Sequence, residues 1–268
     1  MELTIIGKDG KAAGKHKLPS QFQEEVRSDL IKRAVQVIES HDRQPYGSDP
    51  MAGLKQSTWV SRRRRKYRGS YGQGISRVPR KIMSRRGTRI NWVGAEAPGT
   101  VGGRRAHPPK ASKVWDKKIN TQERKKAIRS AIAATIDPSI VKGRGHKIPD
   151  TYPFILDDFI ETEKKTREVI KLLETIGFAD DLGRASERRI RAGKGTMRNR
   201  RYKESKSVLL VVADTCDLSK SAANVPGVEV VPVKKLNAML LAPGSDIGRA
   251  TLFTKKALMT MEKEDLFN

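Results

Sequence analysis

Cysteine is almost missing from this chain: Cys216 is the only one in 268 residues. A lone thiol cannot close an intrachain disulfide, which excludes a stapled secreted domain and suits a reducing compartment. Long apolar runs are missing as well. No stretch approaches the roughly 18 residues that a bilayer-crossing helix needs, and Met1-Glu2-Leu3-Thr4 lacks a basic region followed by an apolar one. The reading is a soluble, cytoplasmic protein with no membrane partner. Aromatic residues make up 5% and apolar residues 37%, too little to pack the whole chain as densely as an ordinary enzyme. The four histidines, His16, His41, His107 and His146, are scattered and none pairs with another ligand at helical spacing, so no metal site is read. Acids are scarce beside bases: 30 Asp and Glu face 55 Lys and Arg, a net charge of +25. Such a balance calls for a polyanionic partner or an acidic surface.

The charge is concentrated. Residues 55–112 carry sixteen bases (Lys55, Arg62, Arg63, Arg64, Arg65, Lys66, Arg68, Arg77, Arg80, Lys81, Arg85, Arg86, Arg89, Arg104, Arg105 and Lys110) against Glu96 alone. Residues 184–206 carry ten, among them Arg188, Arg189, Arg191, Lys194, Arg198, Arg200 and Arg201, against Glu187 and Glu204. These two segments hold nearly all of the excess, and what remains is close to neutral. From Tyr46 to Pro109 no sustained apolar period is read, while Gly and Pro recur from Gly53 to Pro108-Pro109. A structureless segment this long inside a domain is functional or disordered. Like-charge repulsion with little to bury predicts that it orders only against a counter-charged mould.

The near-neutral remainder reads as alternating strands and helices. Strands are expected at 3–6, 154–156, 207–213, 228–231 and 250–253. Helices are expected from capping boxes at Ser20/Gln23 and Asn120/Glu123, over 162–176, around 219–224 and 235–241, and after a Thr254 cap. Strands alternating with helices imply an α/β fold with a parallel sheet and crossover helices. The domain reading is one globular body over 1–43 and 113–268, an extended basic loop over 44–112, and a basic crossover at 184–206.

A parallel sheet invites a search for nucleotide chemistry, and little is found. No G-x-G-x-x-G turn follows a strand. The phosphate-loop lookalike Gly193-Lys194-Gly195-Thr196 has Arg188 where the first glycine belongs and Gly195 after the lysine. Asp157-Asp158 at a strand end could serve acid/base work, although a charge at a helix N-terminus is the commoner use. No catalytic residue, metal or cofactor is assigned. Trp59, Tyr67, Tyr71 and Trp92 lie among the arginines of the first basic segment, a mixture that suits folded RNA. Guanidinium groups fork phosphates and stack, aromatics stack on unpaired bases, and glycine lets backbone approach closely. His107 joins this set. The competing readings are an RNA-modifying enzyme, which requires a ligand loop at a strand end, and a free nucleic-acid chaperone.

Six stretches carry a resemblance in order along the chain: Arg27-Ser28-Asp29-Leu30-Ile31, Gln44-Pro45-Tyr46-Gly47-Ser48-Asp49, Arg68-Gly69-Ser70-Tyr71-Gly72-Gln73-Gly74, Gly102-Gly103-Arg104-Arg105-Ala106-His107-Pro108-Pro109, Arg129-Ser130-Ala131-Ile132-Ala133-Ala134-Thr135 and Ile190-Arg191-Ala192-Gly193-Lys194-Gly195. Together they resemble the large-subunit ribosomal protein L-four family, in its archaeal type. The resemblance implies a mainly parallel four-stranded sheet flanked by helices. It also implies binding to large-subunit rRNA, a role in assembly, and an internal loop that helps line the peptide exit tunnel beside ribosomal protein L-twenty-two. Neither a DNA partner nor a homo-oligomer is expected. Carried over by motif, the tunnel-proximal part is Arg68 to Arg89, with Ser70, Tyr71, Gly72 and Gln73 near its tip, while Arg85-Arg86-Gly87-Thr88-Arg89 could equally face the lumen.

Overall fold

In the run Leu209-Leu210-Val211-Val212 no residue is more than 1% exposed. A strand this apolar on both faces must be covered on both, which builds a three-layer arrangement around it. The computed structural model describes residues 1–66 and 69–268, so the expectations placed on Tyr67 and Arg68 lie outside the described residues. The chain divides into two units: Met1–Asp42 with Asp116–Asn268, called the body here, and Arg43–Trp115, the extension.

In chain order, β1 (Glu2–Ile6), β2 (Ala12–Lys17) and α1 (Ser28–His41) precede β3 (Arg80–Arg86) and β4 (Arg89–Gly94). Then come α2 (Thr121–Ala134), α3 (Pro138–Gly143), β5 (Ile155–Leu156), α4 (Thr166–Thr175), α5 (Ala179–Ser186), β6 (Arg189–Ile190), β7 (Tyr202–Lys203) and β8 (Leu209–Val212). The chain closes with α6 (Leu218–Ser221), β9 (Glu229–Pro232), α7 (Ala238–Leu241), β10 (Thr251–Phe253) and α8 (Lys255–Lys263). No helix among the described residues is long and apolar enough to cross a membrane.

The body is mixed α/β. Strands β10, β8 and β9 form one parallel sheet in that order, and β2, β1 and β5 form another in which only β2 runs antiparallel. A parallel bridge between Leu156 and Thr254 links the two. The expected single four-stranded sheet is thus replaced by two three-stranded ones joined at one rung. The physical reason is the brevity of β5, which lies between Pro153 and a 3-10 turn at Asp158–Thr162. Two residues leave little ladder for β10.

Side-chain alternation sorts the core onto two faces. Leu209 and Val211 face a cluster with Ile31, Val35, Ile132 and Leu258 from α1, α2 and α8. Leu210 and Val212 face Val169 and Leu173 of α4 together with Phe154, Phe178 and Leu218. Each such side chain, fully buried, contributes roughly 1.5–3 kcal/mol relative to exposure.

Several expectations needed correction. The capping box at Ser20 does not open α1. Residues Ser20–Gln23 make a separate 3-10 turn and α1 begins at Ser28. The break is held by tertiary contacts, because the Arg27 N–H donates to Ser130 Oγ at 2.6 Å and that hydroxyl donates to the Glu25 carbonyl at 2.8 Å. Asn120 does precede α2, yet its side chain makes no capping bond. Thr254 caps α8 as expected, accepting from the Ala257 N–H at 3.2 Å. The extension is not uniformly irregular either: β3 and β4 form an antiparallel hairpin.

Candidate nucleic-acid interface

The extension has almost no aliphatic core, and its order rests on aromatic rings and backbone. At its two ends, residues 46–49 meet residues 109–111. The Ser48 N–H donates to the Pro109 carbonyl at 3.0 Å, and Gly47 presses so closely on the Lys110–Ala111 backbone that a Cβ there would clash. Beside this contact the Arg43 guanidinium lies 3.8 Å from the centre of the Trp115 ring, Lys113 Nζ lies 4.3 Å from it, and Tyr46 stacks on Trp115 at 5.6 Å. Farther along, Trp59 pairs with Arg80 through backbone bonds of 2.9 and 3.0 Å. The hairpin departs from that level, and its turn at Gly87 (φ +57°) adopts a conformation that glycine favours.

The aromatic rings expected to stack on bases are partly engaged with the protein itself. Trp59 and Trp92 stack on each other at 6.2 Å, with the Arg80 guanidinium 5.3 Å from Trp92 and Lys66 Nζ 5.3 Å from Trp59. Arg80 is only 8% exposed and donates to the Val78 carbonyl and to Ser76 Oγ, both at 3.3 Å. In this geometry it organises the extension and offers little to a partner. Tyr71 is exposed, and Arg77 lies 5.3 Å from its ring. Gly72 and Gln73 are exposed, whereas Ser70 is buried and its N–H donates to the Ser61 carbonyl at 3.2 Å.

The remaining cations have no carboxylate partner among the described residues, although Lys66 and Arg77 lie over aromatic rings and Arg62 donates to the Arg77 carbonyl at 3.4 Å. Arg62, Arg63, Arg64, Arg65, Lys66, Arg77, Arg85, Arg86, Arg89, Arg104, Arg105 and His107 are all exposed, and Lys81 is half-buried. Among the described residues none of them lies within 4 Å of a carboxylate; the ion pair in the extension joins Lys55 to Asp49 at 2.6 Å. Charges left unneutralised at spacings below a Debye length of roughly 8 Å repel one another and attract any polyanion.

The second basic segment is a small hairpin. β6 and β7 pair antiparallel, and between them Gly193–Arg198 makes a 3-10 turn that ends at Asn199 in the left-handed region. Arg191 serves this hairpin, its Nε donating to the Arg200 carbonyl at 3.0 Å and its Nη2 to the Tyr202 carbonyl at 3.4 Å. Arg188 pairs with Glu204 at 2.8 Å. Arg189, Lys194, Arg198, Arg200 and Arg201 are exposed, and among the described residues no carboxylate partners them.

Both ends of this hairpin are clamped by the body. Asp181 on α5 is fully buried and accepts from Ser207 Oγ at 2.6 Å, from the Lys147 N–H at 3.0 Å and from Arg184 Nε at 3.0 Å, with His146 Nδ1 at 3.3 Å. Arg184 Nη2 donates to the Lys206 carbonyl at 2.8 Å. Burial alone would push the Asp181 carboxyl up, but hydrogen bonds from His146, Arg184 and Ser207 outweigh it and hold the group well below the usual carboxylate range. Next to it, Arg249 is fully buried and donates to the carbonyls of Ser207 (2.9 Å), Leu240 (3.0 Å) and Gly227 (3.2 Å) and to Glu229 at 2.5 Å. Gly227 (φ +73°) leaves no room for a side chain, since a Cβ would meet the Ser205 carbonyl at 2.7 Å and Ala185 at 2.8 Å.

Of the Asp157-Asp158 pair read as a possible acid/base site, Asp158 is used for structure, as is the nearby Glu161. Asp158 accepts from the Lys256 N–H at 2.8 Å, capping α8, and Glu161 accepts from Thr254 Oγ1 at 2.8 Å and the Ala213 N–H at 3.2 Å. Arg43, Tyr46, Lys113 and Trp115, by contrast, were not read as site residues from sequence. Their signal was a Trp flanked by lysines just beyond the last Gly/Pro cluster, and a Tyr between Pro45 and Gly47, far apart in the chain.

Known proteins give a consistent answer. A model of the family described as "Ribosomal protein L4/L1 family" matches residues 16–264. The chain is 46% identical over 268 residues to the "Large ribosomal subunit protein uL4" of Nanoarchaeum equitans, covering all of both chains. It is 46% identical over 261 residues to the protein of that name from Methanococcoides burtonii, 96% of each chain. With the one from Archaeoglobus fulgidus it shares 43% identity over 259 residues, 96% of this chain and 97% of the relative. On a match this extensive, this chain belongs to the ribosomal protein L4/L1 family.

Proposed function

We propose that this chain is a structural constituent of the large ribosomal subunit, without catalytic activity, and that it grips rRNA at two places: the extension, taken as residues 44–112, and the hairpin within residues 184–206. The body, residues 1–43 and 113–268, anchors both. The observation that carries the reading is the set of exposed guanidinium groups with no carboxylate partner among the described residues, displayed by segments whose own fold is held by other side chains. Arginine is suited to this because its planar fork meets phosphate oxygens bidentately and its face stacks on bases. On the same reading, phosphate contacts come from Arg62–Lys66, Arg85, Arg86, Arg89, Arg104, Arg105, Arg189, Lys194, Arg198, Arg200 and Arg201. Arg80 and Arg191 hold the two hairpins in shape.

The distal part of the extension reaches the peptide exit tunnel beside ribosomal protein L-twenty-two, with either Tyr71-Gly72-Gln73 or the Arg85–Arg89 turn nearest the lumen. The protein takes rRNA and neighbouring ribosomal proteins as partners, and no second copy of itself. No observation favours the RNA-modifying enzyme, and Asp158 of the candidate Asp157-Asp158 pair is committed to capping α8.

Fractionation tests the reading. The protein is expected to sediment with the large subunit at moderate salt and to be nearly absent from the free pool; a predominantly free protein would refute it. Deleting residues 68–90 is expected to leave subunit association largely intact while altering the tunnel, and loss of incorporation would instead assign the tip to assembly.

A further inference from the structure

The meeting of residues 43–49 with residues 105–115 creates a cleft that neither basic run accounts for. Its volume is about 570 Å³ and its walls include Tyr46, Arg105, His107, Lys110, Lys113 and Trp115. That size lies within the roughly 300–1,000 Å³ of small-ligand pockets. No acidic residue lines it. Tyr46 is 52% exposed although it stacks on Trp115, so the protein covers only part of its ring. The Trp115 indole N–H is buried and, among the described residues, has no acceptor. A buried donor without a partner costs about 1–3 kcal/mol, which an arriving acceptor would relieve. The rear of the cleft is braced: Arg43 lies against Trp115, and Gly47 is locked on the Lys110–Ala111 backbone.

We propose that this cleft takes one unpaired nucleotide of the RNA. The base stacks on Tyr46, Arg105, Lys110 and Lys113 receive its phosphates, and a base or sugar acceptor meets the Trp115 N–H. A half-exposed aromatic ring with cations around it, here including Arg43 at 5.9 Å from the Tyr46 ring centre, is the combination used to hold unstacked bases. A helical duplex has no splayed base to insert, so the cleft distinguishes unpaired from paired RNA, which the arginine runs by themselves do not. The inference rests on the rRNA-binding reading above.

The test uses intact large subunits that contain the full-length protein. Ultraviolet irradiation of wild-type subunits is expected to yield a peptide carrying Tyr46 or Trp115 joined to a single unpaired nucleotide. Crosslinks from this protein confined to other peptides, or to paired nucleotides, would overturn the proposal. In subunits carrying Tyr46→Ala, chemical probing of base edges should show that nucleotide gaining reactivity roughly fivefold to a hundredfold, the range expected from one lost stacking contact. Tyr46→Phe should retain the wild-type pattern. If Tyr46→Ala leaves every unpaired base unchanged, the cleft holds no nucleotide. Should the variant still sediment with the subunit in that case, the ribosomal reading survives and only the cleft assignment falls; absence of the wild-type protein from the subunit would sink both.

Discussion

In the body a cation is a structural part. Arg249 is fully buried, and its guanidinium binds three carbonyls and the Glu229 carboxylate. In the extension most cations point outward, and the two that lie over Trp59 and Trp92 take the place of an aliphatic core. The contrast follows from what each region can bury. Strand β8 supplies Leu209, Leu210, Val211 and Val212 to two clusters, whereas the extension leaves Met51, Ile82, Met83, Val93 and Val101 exposed. A region with an apolar core can neutralise its buried charges internally. One without it keeps charge on the surface, and an external polyanion then completes its energetics.

The largest expected effect separates the two regions by salt. If about ten phosphates are contacted, RNA affinity should fall by roughly three to five decades between 50 and 200 mM salt on the duplex-DNA scale. Thermal unfolding of the body should scarcely move over the same range. A flat binding profile, measured by filter binding or anisotropy, would erase the distinction.

Next in size is Arg249→Ala, which leaves the Glu229 carboxylate without its buried partner and should cost about 3–5 kcal/mol in urea unfolding. Exposed Arg64→Ala, by comparison, should change stability by less than about 0.5 kcal/mol while weakening RNA binding.

The acid limb sharpens the comparison further. Because the folded-state pKa of Asp181 is depressed, its stabilisation is fully present above the ordinary carboxylate pKa and is lost as pH falls through that value towards the folded one. Asp181→Asn should lower stability at neutral pH by about 1–3 kcal/mol and flatten the loss between about pH 5 and 2. An unchanged acid limb would show that the Asp181 bonds contribute nothing.

The smallest effect is local. Trp92→Ala removes a stacked pair worth about 0.5–1.5 kcal/mol beyond the area it buries, so trypsin should cut faster at Arg85, Arg86 and Arg89 while the body's melting temperature stays within about a degree or two. Equal cutting before and after substitution would mean that the Trp59–Trp92 pair does not support the hairpin.

Much of the body was legible in the sequence. Strands β1, β8, β9 and β10 and helices α2, α4 and α8 lie within a few residues of where periodicity and capping put them, because each combines a strong local pattern with deep burial. Strand β2 was not read, since Ala12–Lys17 is mostly exposed and its sequence AAGKHK has little to bury. The 3-10 turn before α1 was misread because Ser130, over a hundred residues away, decides where that helix starts. In the extension the hairpin left a faint trace, with Ile90 and Trp92 alternating against exposed Arg89, Asn91 and Val93. The glycine and arginine around it masked that trace.

By itself the sequence determined the α/β class and the two concentrations of positive charge, which follow from residue type and local spacing, and its motifs carried the resemblance to the family. Only the tertiary structure decided which cations are free. Arg80 and Arg191 look like their neighbours in the chain, yet one lies over Trp92 and the other is bonded to the Arg200 and Tyr202 carbonyls. Tertiary structure also brought Tyr46 to Trp115, which no local rule could do. The reason is physical: a charge is read from one residue, but its availability depends on every group that the fold places within reach of it.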